Sequence, residues 1–498
     1  MLDSTRTTPA RVLLVDLNNF SRFPTLPVGL MAAVLRREGH EVEVLSPFAV
    51  GVPGLPRAAR AKPWGYWDER LRWWSATTPS RSVRNLRRAI GRMRPHQRGA
   101  RSERMLGAFE AALDRRPAIV LISSYLMYHE AIERLCARAL ARGIPVVLGG
   151  PAFHEEETRR GWLAIPGLTG VFAGEAEGSL QALLSAVLEG APDPPGFSRP
   201  GLPDGGLAEP LADLDALPFP DYADFPWDRY PNRIVSMLTA RGCGWGVCKF
   251  CSDVVTVSGR TYRSRSLDDV LGELAHHRER HATSLFCFSD LKLNSDLALW
   301  RGLHERFAAV VPDAKWTCAV HVGPREDEGL RPEDLRAARA AGLVRITTGL
   351  ESGSRRLLDS MRKGTAPERL EEFLAAAHAA GISTRMTAFT GYPGEEPTDV
   401  DATTRFLERS GRHIERVHLS RLLVQAGTPL EGDLRDGRLE GDGIEVLEER
   451  PLFAETGHVD RNVTDGHRKR SIARLLRAVH AINRRPVRDA ARELEGAM

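Results

Sequence analysis

Cysteine is scarce in this sequence, which has six cysteines in 498 residues. So few cysteines cannot form a disulfide framework for a chain of this length. Three of them nevertheless lie within nine positions, from Cys243 to Cys251. The first ten residues also lack the apolar core of a signal peptide. The clustering and the missing export signal together favour a metal site in a protein of the reducing cytoplasm.

Long apolar runs and strong net charge are missing as well. No uninterrupted apolar stretch approaches the roughly 20 residues that span a bilayer, so no membrane association is expected. The formal net charge of +4 is small for this length, which makes nucleic acid an unexpected partner. Hydrophobic residues (42%) and charged residues (27%) occur in ordinary globular proportions. Since 498 residues exceed what one hydrophobic core supports, two or three domains are expected.

The N-terminal third of the chain alternates between strand-like and helix-like segments. Its strands are short apolar runs, and its helices repeat apolar residues at the spacing of one helical face. The predicted strands cover residues 11–16, 41–45, 118–123, 145–149 and 171–172, and the predicted helices cover residues 28–38 and 129–142. This alternation predicts a doubly wound, Rossmann-like α/β domain over residues 1–191, whose ligands bind beyond the carboxyl ends of the strands.

An insertion at residues 50–104 interrupts this alternation and differs from it in composition. It holds four of the nine tryptophans, and between residues 57 and 104 it has fourteen Arg or Lys against three acids. One interpretation is a surface pair of helices with solvated arginines. The other is a lid, or a docking surface for an anionic or peptide substrate. The sequence leaves both open.

A second alternation follows residues 192–231, which are rich in Pro, Gly and Asp and are interpreted as a linker. Its predicted strands cover residues 234–239, 284–289, 315–321, 344–349, 383–389 and 416–423, and its predicted helices cover residues 266–281, 296–311, 332–341, 367–380 and 399–410. Six consecutive strands of this kind predict a partial parallel barrel, (β/α)6, over residues 232–430. The charged remainder, residues 431–498, predicts a small helical cap with a basic helix at residues 467–485.

A cysteine motif directly follows the first predicted barrel strand, at the end of the barrel where chemistry occurs. Cys243, Cys248 and Cys251 share a loop whose glycines let the backbone wrap closely around a bulky group. A tetrahedral zinc site would need a fourth ligand, which the loop does not offer, and a redox pair would leave Cys243 without a role. Three thiolates suit a four-iron, four-sulfur (4Fe-4S) cluster with one iron left open. Zinc and a dithiol remain the alternatives.

With this loop, the segments RITTGLESGS (residues 345–354) and RMTAFTGYPGE (residues 385–395) make the chain resemble a known family. That family is the radical S-adenosylmethionine (SAM) enzymes with an N-terminal cobalamin-binding domain. Four residues separate the first two cysteines here, where the family usually has three. The resemblance implies a 4Fe-4S cluster on the three cysteines and SAM at its open iron. The residues that it assigns to the SAM site are Phe250, Asp290, Glu351, Ser352, Arg385 and Gly391.

The first domain resembles the cobalamin-binding domain of the same family. It shares the strand order, the run LPVGL at residues 26–30, the GGP segment at residues 149–151 and the Gly-Glu turn at residues 174–175. The motif Asp-x-His-x-x-Gly, which gives cobalt a histidine ligand in other cobalamin enzymes, is absent after Asp16. A sheet that only supports the barrel is the alternative. The residues assigned to the cobalamin site are Leu26, Gly29, Ser123, Tyr125, Gly149, Gly150, Pro151 and Glu175.

The resemblance implies a cobalamin-dependent radical methyltransferase that acts on an unactivated carbon, or on phosphorus, of a specialised metabolite or a modified peptide. Such an activity belongs to natural product biosynthesis. An electron donor such as flavodoxin or ferredoxin is the implied protein partner. One alternative is an enzyme that uses the same cofactors for rearrangement or cyclisation without methyl transfer. The other, from a different class, is a non-catalytic iron–sulfur protein.

Overall fold

The computed structural model describes residues 8–55, 65–78, 80–151, 153–254, 261–439, 444–460 and 465–497. Trp64 of the insertion lies outside the described residues, as do residues 440–443 and 461–464 of the predicted cap. No helix within these described ranges is long and apolar enough to cross a membrane.

The first sheet is parallel over five strands in the order β2-β1-β3-β4-β5, and a short antiparallel strand, β6, continues it at one edge. The strands are β1 Arg11–Asp16, β2 Glu41–Leu45, β3 Ile119–Ser123, β4 Val146–Gly149, β5 Gly170–Phe172 and β6 Phe197–Ser198. Each of the five predicted strands is present. Because β6 falls inside the predicted linker, the sheet of the first domain extends beyond residue 191.

Helices pack on both faces of this sheet. The helices of this domain are α1 Leu26–Arg37 and α8 Leu180–Leu188 on one face, α5 Glu103–Leu113, α6 His129–Leu140 and α7 Glu156–Trp162 on the other, and α2 Tyr66–Thr77, α3 Arg81–Arg92 and α4 Pro95–Ala100 in the insertion. Successive side chains of a strand point to opposite faces of the sheet. Val12 therefore packs in the core that holds α1 and α8, while Leu13 packs in the core that holds α5 and α6.

The insertion divides into a docked part and an exposed part. In α2, the hydroxyl of Tyr66 donates a hydrogen bond to the carbonyl oxygen of Ala473 (3.3 Å), and the carbonyl of Ala76 accepts one from Arg421 (2.9 Å). Both partners belong to the second half of the chain. In contrast, α3 has no buried residue, as the interpretation of solvated arginines predicts. The insertion thus reaches across to the second domain through α2.

The second sheet has six parallel strands in the order β14-β13-β12-β11-β10-β7. Two short strands, β8 and β9, pair with each other beside it. The strands are β7 Ile234–Met237, β8 Ala240–Arg241, β9 Arg263–Ser264, β10 Leu285–Phe288, β11 Lys315–Ala319, β12 Leu343–Glu351, β13 Ser383–Thr390 and β14 Arg416–Arg421. β7 and β14 are the two edges, so the predicted partial barrel is confirmed as an open sheet of six strands.

The outer face of this sheet carries the helices that the sequence predicts. They are α9 Leu267–His281, α10 Leu297–Val310, α11 Pro332–Ala340, α13 Pro367–Ala379 and α14 Pro397–Ser410, and a short helix that was not predicted, α12 Arg355–Ser360, follows β12. Side chains such as Phe286, Ile346 and Met386 point outward into the core beneath these helices. The alternate side chains point inward, and we call the space on that inner face the lumen.

The C-terminal part contains strands in addition to the predicted helix. Its elements are β15 Val424–Gln425, α15 Pro429–Arg435, β16 Ile444–Arg450, β17 Glu455–Asp460 and α16 Gly466–Asn483. The strands form an antiparallel sheet in the order β15-β17-β16. In β16, alternation of apolar Ile444 and Val446 with charged Glu445 favours a strand over a helix.

The last residues close one end of the lumen. We call residues 487–497 the C-terminal segment, and its Leu494 and Ala497 are fully buried. It packs against Ile234 and Val344, which lie at the amino ends of β7 and β12. On its other side it contacts Phe20 of the first domain. The lumen is therefore closed at the amino ends of the strands, and the carboxyl ends hold the candidate site.

Candidate active site

The cysteine loop begins at the carboxyl end of β7, where the sequence places it. Asp290, which follows β10, holds this starting point: its carboxylate accepts hydrogen bonds from the backbone N–H groups of Thr239 (3.0 Å) and Ala240 (2.8 Å) and from the Thr239 hydroxyl (2.7 Å). Burial raises the pKa of Asp290 to about 6. Asp290 therefore positions the start of the loop, and its contact with SAM stays a prediction.

The loop is tethered to neighbouring elements along its length. The indole N–H of Trp245 donates to the carbonyl of Arg362 (2.9 Å), and the backbone N–H of Lys249 donates to the carbonyl of Met361 (3.0 Å). The Lys249 ammonium also forms an ion pair with Asp433 of α15 (2.8 Å). These contacts hold the loop that carries the three cysteines against residues 361–362 and α15.

The tether at Trp245 depends on a glycine. Gly364 has a φ of +70°, and a Cβ at this position would lie 2.3 Å from the Trp245 ring. Gly364→Ala is therefore expected to displace Trp245, at a packing cost of about 1–3 kcal/mol, and to reduce the iron content of the reconstituted protein. Iron analysis and thermal unfolding check this.

A matched control separates the packing clash from backbone strain. Gly143 has a similar φ of +66°, but no atom lies within 4 Å of the position that a Cβ would occupy. Gly143→Ala should cost only the strain of the left-handed conformation, about 1–2 kcal/mol, and leave the iron content unchanged. Equal iron loss in both variants would contradict a specific role of the Trp245 tether.

The three thiols lie on one loop and differ in burial. Cys248 is buried, and Cys243 and Cys251 are half-buried. Burial raises the pKa of Cys248, and burial together with Asp253 raises that of Cys251 to about 12. The thiols also act on each other, since Cys243 raises the pKa of Cys248 further. Thiolates here need nearby cations, a condition that the irons of a cluster satisfy.

A single-ion site is not formed by the described residues. Within the described ranges, no three His, Cys, Asp or Glu side chains converge as ligands of one metal ion. Zinc would require such convergence at one point. A four-iron cluster does not, because each thiolate binds a different iron. The arrangement is compatible with a four-iron cluster, which stays the prediction for this loop.

A buried ion pair lies beside the thiols. Glu351, at the end of β12, accepts a hydrogen bond from the ammonium of Lys363 (3.1 Å) and lies 3.4 Å from the Thr387 hydroxyl. Burial alone would lower the pKa of Lys363, but Glu351 and the Cys248 thiol raise it above its usual value. Glu351 has a φ of +58°, a conformation that costs free energy in a residue with a side chain. Such strain is typical of functional positions.

Sequence reasoning missed Lys363. The segment that holds it, RKGT, carries no recognisable catalytic pattern. Only the fold shows that Lys363 links Glu351 to the cysteine loop, where its ammonium also lies 6.0 Å from the centre of the Phe250 ring.

Three other residues predicted for SAM lie at the same end of the barrel. Phe250 packs edge-on against Phe389 with 5.0 Å between ring centres. The hydroxyl of Ser352 is buried and lies 3.3 Å from that of Thr403. Gly391 has a φ of +86° and open space where a side chain would begin. The structure therefore brings these residues near the cysteine loop, and their nucleotide contacts stay predictions.

Arg385 lies farther from this end of the barrel than the other predicted SAM residues. It lies opposite Thr347 and Arg416 in the sheet register. Thr347 precedes Glu351 by four residues, so the backbone of Arg385 lies about 13 Å below the carboxyl end along the strand direction. Its contact with the nucleotide stays a prediction.

The carboxyl edge of the first sheet gathers part of the predicted cobalamin residues. Ser123 accepts a hydrogen bond from the amide of Asn18 (3.2 Å), and the neighbouring Gly149 leaves space where a side chain would begin, with only one backbone oxygen 3.7 Å away. The Asn18 side-chain oxygen and the Tyr128 hydroxyl are buried without a hydrogen-bond partner among the described residues. Open space beside unpartnered polar atoms is what a ligand with polar substituents requires.

Other predicted cobalamin residues lie around the same edge. Because Gly150 has no side chain, the carbonyl oxygen of Ser124 can lie close to it. A Cβ at residue 150 would be only 2.3 Å from that oxygen. Pro151 is exposed, and Tyr125 packs against Phe20 with 6.2 Å between ring centres. Whether these residues contact a corrin stays a prediction.

Three predicted cobalamin residues have other partners. A Cβ at Gly29 would lie 2.5 Å from the ring of Tyr222, so this glycine allows the linker to pack on α1. Leu26 lies beside Arg241 in a small cavity between α1 and the barrel. Glu175 forms ion pairs with Arg241 (2.9 Å) and Arg263 (2.6 Å) and so joins the two domains. Gly29 and Glu175 thus make structural contacts, and their contact with cobalamin stays a prediction.

Part of the chain is similar in sequence to known proteins. Residues 237–407 match the sequence profile of the Radical SAM superfamily. An uncharacterized methyltransferase of Pyrococcus horikoshii is 26% identical over 296 residues, which are 57% of this chain and 62% of that protein. The matched region is therefore less than two thirds of that relative's length.

Two solved structures resemble almost the whole chain. One is the radical SAM methyltransferase TsrM from Kitasatospora setae, with cobalamin and a 4Fe-4S cluster bound (TM-score 0.63, 18% identity, 95% of this chain and 91% of that one). The other is the cobalamin-dependent SAM radical enzyme OxsB, with aqua-cobalamin and SAM bound (TM-score 0.69, 17% identity, 93% of this chain and 66% of that one).

Residues 237–407 therefore match the Radical SAM superfamily, and the fold of the chain is that of TsrM and OxsB, with a Rossmann-like domain in front of an open barrel. The predicted fold class is thereby confirmed.

Proposed function

We propose that this chain is a cobalamin-dependent radical SAM enzyme that methylates an unactivated carbon, or phosphorus, of a small molecule or modified peptide. The observation that carries the proposal is the grouping of the three thiols with Lys363 and Glu351 at the carboxyl end of the barrel. When bound, the cluster would supply the electron that cleaves SAM, and cobalamin would supply the methyl group. The names of the relatives support methyl transfer.

The chain's own residues have separate tasks in this proposal. Cys243, Cys248 and Cys251 would bind three irons of the cluster and leave the fourth to SAM. Glu351 would accept hydrogen bonds from the ribose or from the methionyl ammonium, since a carboxylate forms strong charge-assisted bonds with such donors. Phe250 would lie against the adenine. Lys363 would hold Glu351 in its strained conformation and keep a positive charge near the thiolates.

The first domain offers cobalamin a polar, open edge. The unpartnered Asn18 oxygen and Tyr128 hydroxyl suit the amide groups around a corrin ring, and Gly149 leaves space for it. No histidine occurs in the loop after β1, residues 17–25. His129, in the connection after β3, packs against Trp162, with 4.6 Å between ring centres. A protein imidazole is therefore not placed to bind cobalt from these loops.

Cobalamin bound without a nitrogen ligand has a spectroscopic consequence. The protein loaded with cobinamide, which lacks cobalamin's own benzimidazole nitrogen, and reduced to the cobalt(II) form is expected to show electron paramagnetic resonance lines without threefold nitrogen splitting. Threefold splitting in the cobinamide-loaded protein would contradict the absence of a protein nitrogen ligand. Failure to retain any cobalamin would instead favour a sheet that only supports the barrel.

The activity itself is tested with SAM whose methyl group is deuterated. Anaerobic protein with cluster, cobalamin, a reductant and candidate substrates from neighbouring biosynthetic genes should form 5′-deoxyadenosine together with a deuteromethylated product. 5′-Deoxyadenosine without any methylated product would favour rearrangement or cyclisation. A retained cluster with no cleavage of SAM would favour the non-catalytic iron–sulfur protein.

A further inference from the structure

Three arginines lie on adjacent strands along the lumen. Arg345 is on β12, Arg385 on β13 and Arg416 on β14, and Arg385 is the register partner of Arg416. Because Ile346 and Met386 point outward to the helices, the arginines beside them point to the inner face. The lumen thus has a concentration of positive charge well below the cysteine loop.

Among the arginines that the structure describes, Arg345 combines near-complete burial with guanidinium groups that lack hydrogen-bond partners. Its side chain is 2% exposed, and its Nε and Nη1 groups have no hydrogen-bond partner among the described residues. The hydroxyl of Thr317, its register partner on β11, and the hydroxyl of Thr347 are also buried without partners in the described chain. Buried donors without acceptors cost about 1–3 kcal/mol each, so a site that keeps several of them indicates a missing acceptor.

The acids near Arg345 are already paired with other arginines. Glu495 of the C-terminal segment is paired with Arg416 (2.8 Å), and Glu415 is paired with Arg488 (2.6 Å). Arg385 and Arg416 add positive charge on the same side, and burial lowers the pKa of Arg345 to about 10. An anion that entered the lumen would therefore meet, at Arg345, a guanidinium whose Nε and Nη1 groups no described residue bonds directly, although Glu495 acts on it electrostatically.

The distance to the cysteine loop fits a substrate rather than a cofactor contact. Arg345 precedes Glu351 by six residues, which is about 20 Å along an extended strand. The C-terminal segment closes the lumen below Arg345 through Val344 and Leu494. A ligand held at Arg345 would extend upward toward the cluster and the first domain.

We propose that Arg345, with the hydroxyls of Thr317 and Thr347, binds an oxyanion of the substrate, either a carboxylate or a phosphoryl-type group, in the lumen. The identity of the reaction rests on the proposed function, but the binding of the oxyanion does not. The substrate is then an anionic molecule. Arg345 holds its oxyanion, and the atom that reacts lies at the other end of the substrate, toward the cluster.

The test uses inorganic phosphate and benzoate as probes of the two oxyanion types, with thermal unfolding and calorimetry on the full-length, cluster-loaded protein. One or both probes should raise the Tm of the wild type with saturation. Arg345→Met should weaken this binding at least tenfold, and Arg345→Lys should retain part of it. Arg355→Met, which removes an exposed arginine paired with Glu368, should bind the probes as the wild type does.

The Tm of each variant without ligand shows whether a loss of probe binding is caused by a loss of folding. Removing a buried, unpaired charge should leave the ligand-free Tm of Arg345→Met equal to or above that of the wild type. A large fall in that Tm, or unchanged probe binding in Arg345→Met, would overturn the proposal in favour of a structural role. If SAM is cleaved but no probe depends on Arg345, only this inference fails. If the probes bind but SAM is never cleaved, only the proposed function fails.

Discussion

Replacing Cys243, Cys248 and Cys251 together by alanine is expected to reduce the iron content of the reconstituted protein from about four atoms per chain to background. The physical reason is that all three thiolates come from one tethered loop, and the other cysteines lie elsewhere. Cys136 is buried in the first domain, and Cys287 and Cys318 are fully buried on barrel strands. Iron and sulfide analysis with visible absorbance checks this result.

Cys136→Ala is the matched control for this triple variant. Cys136 is also a buried thiol, and burial raises its pKa to about 12, so its removal tests the loss of a thiol without the loss of a ligand. It should keep the full iron content. A wild-type protein that takes up stoichiometric zinc and no iron, or a triple variant that keeps its iron, would defeat the cluster assignment.

Glu351→Ala is expected to keep the cluster and to bind SAM at least tenfold more weakly. A lost charge-assisted hydrogen bond is worth about 1.5–3 kcal/mol, and a tenfold loss of affinity needs about 1.4 kcal/mol. The substitution also leaves the Lys363 ammonium buried without its partner, which destabilises the site by itself. Isothermal titration of the cluster-loaded protein with SAM measures the affinity.

Two further variants separate these two effects. Glu351→Ala combined with Lys363→Met removes the unpaired charge, so SAM affinity should stay low if Glu351 contacts the nucleotide and should recover if it does not. Glu328 forms an equivalent buried pair with Lys292 at the same 3.1 Å. Glu328→Ala should lower the Tm and leave the affinity for SAM unchanged. Wild-type affinity in Glu351→Ala would show that the family resemblance misleads at this position.

Much of the fold follows from short-range patterns. Each predicted strand of the first domain and of the barrel appears within a few residues of its expected bounds, because apolar periodicity is a local property of the chain. β6 and the C-terminal sheet were not predicted. β6 has two residues, and its pairing with β5 depends on where the linker passes. A two-residue strand has no periodicity for the sequence to reveal.

The candidate site was predictable only in part. The cysteine loop and the ESGS segment could be found because their residues are close in the sequence and form recognisable motifs. The partners of Glu175 and Gly29 could not be found in this way. Arg241, the partner of Glu175, and Tyr222, the partner of Gly29, each lie more than sixty residues away along the chain. A glycine or a carboxylate in a loop carries no local mark that separates a cofactor contact from a packing contact.

The sequence by itself determined the succession of strands and helices, the cysteine loop and the end of the barrel on which that loop lies, because each depends on neighbouring residues or on strand direction. The tertiary structure alone decided that Lys363 neutralises Glu351, that Asp290 and Glu175 are engaged in the frame of the protein, and that Arg345 remains unpaired in the lumen. Burial and pairing are properties of the space between elements. They are set by how distant segments pack, which no local pattern records.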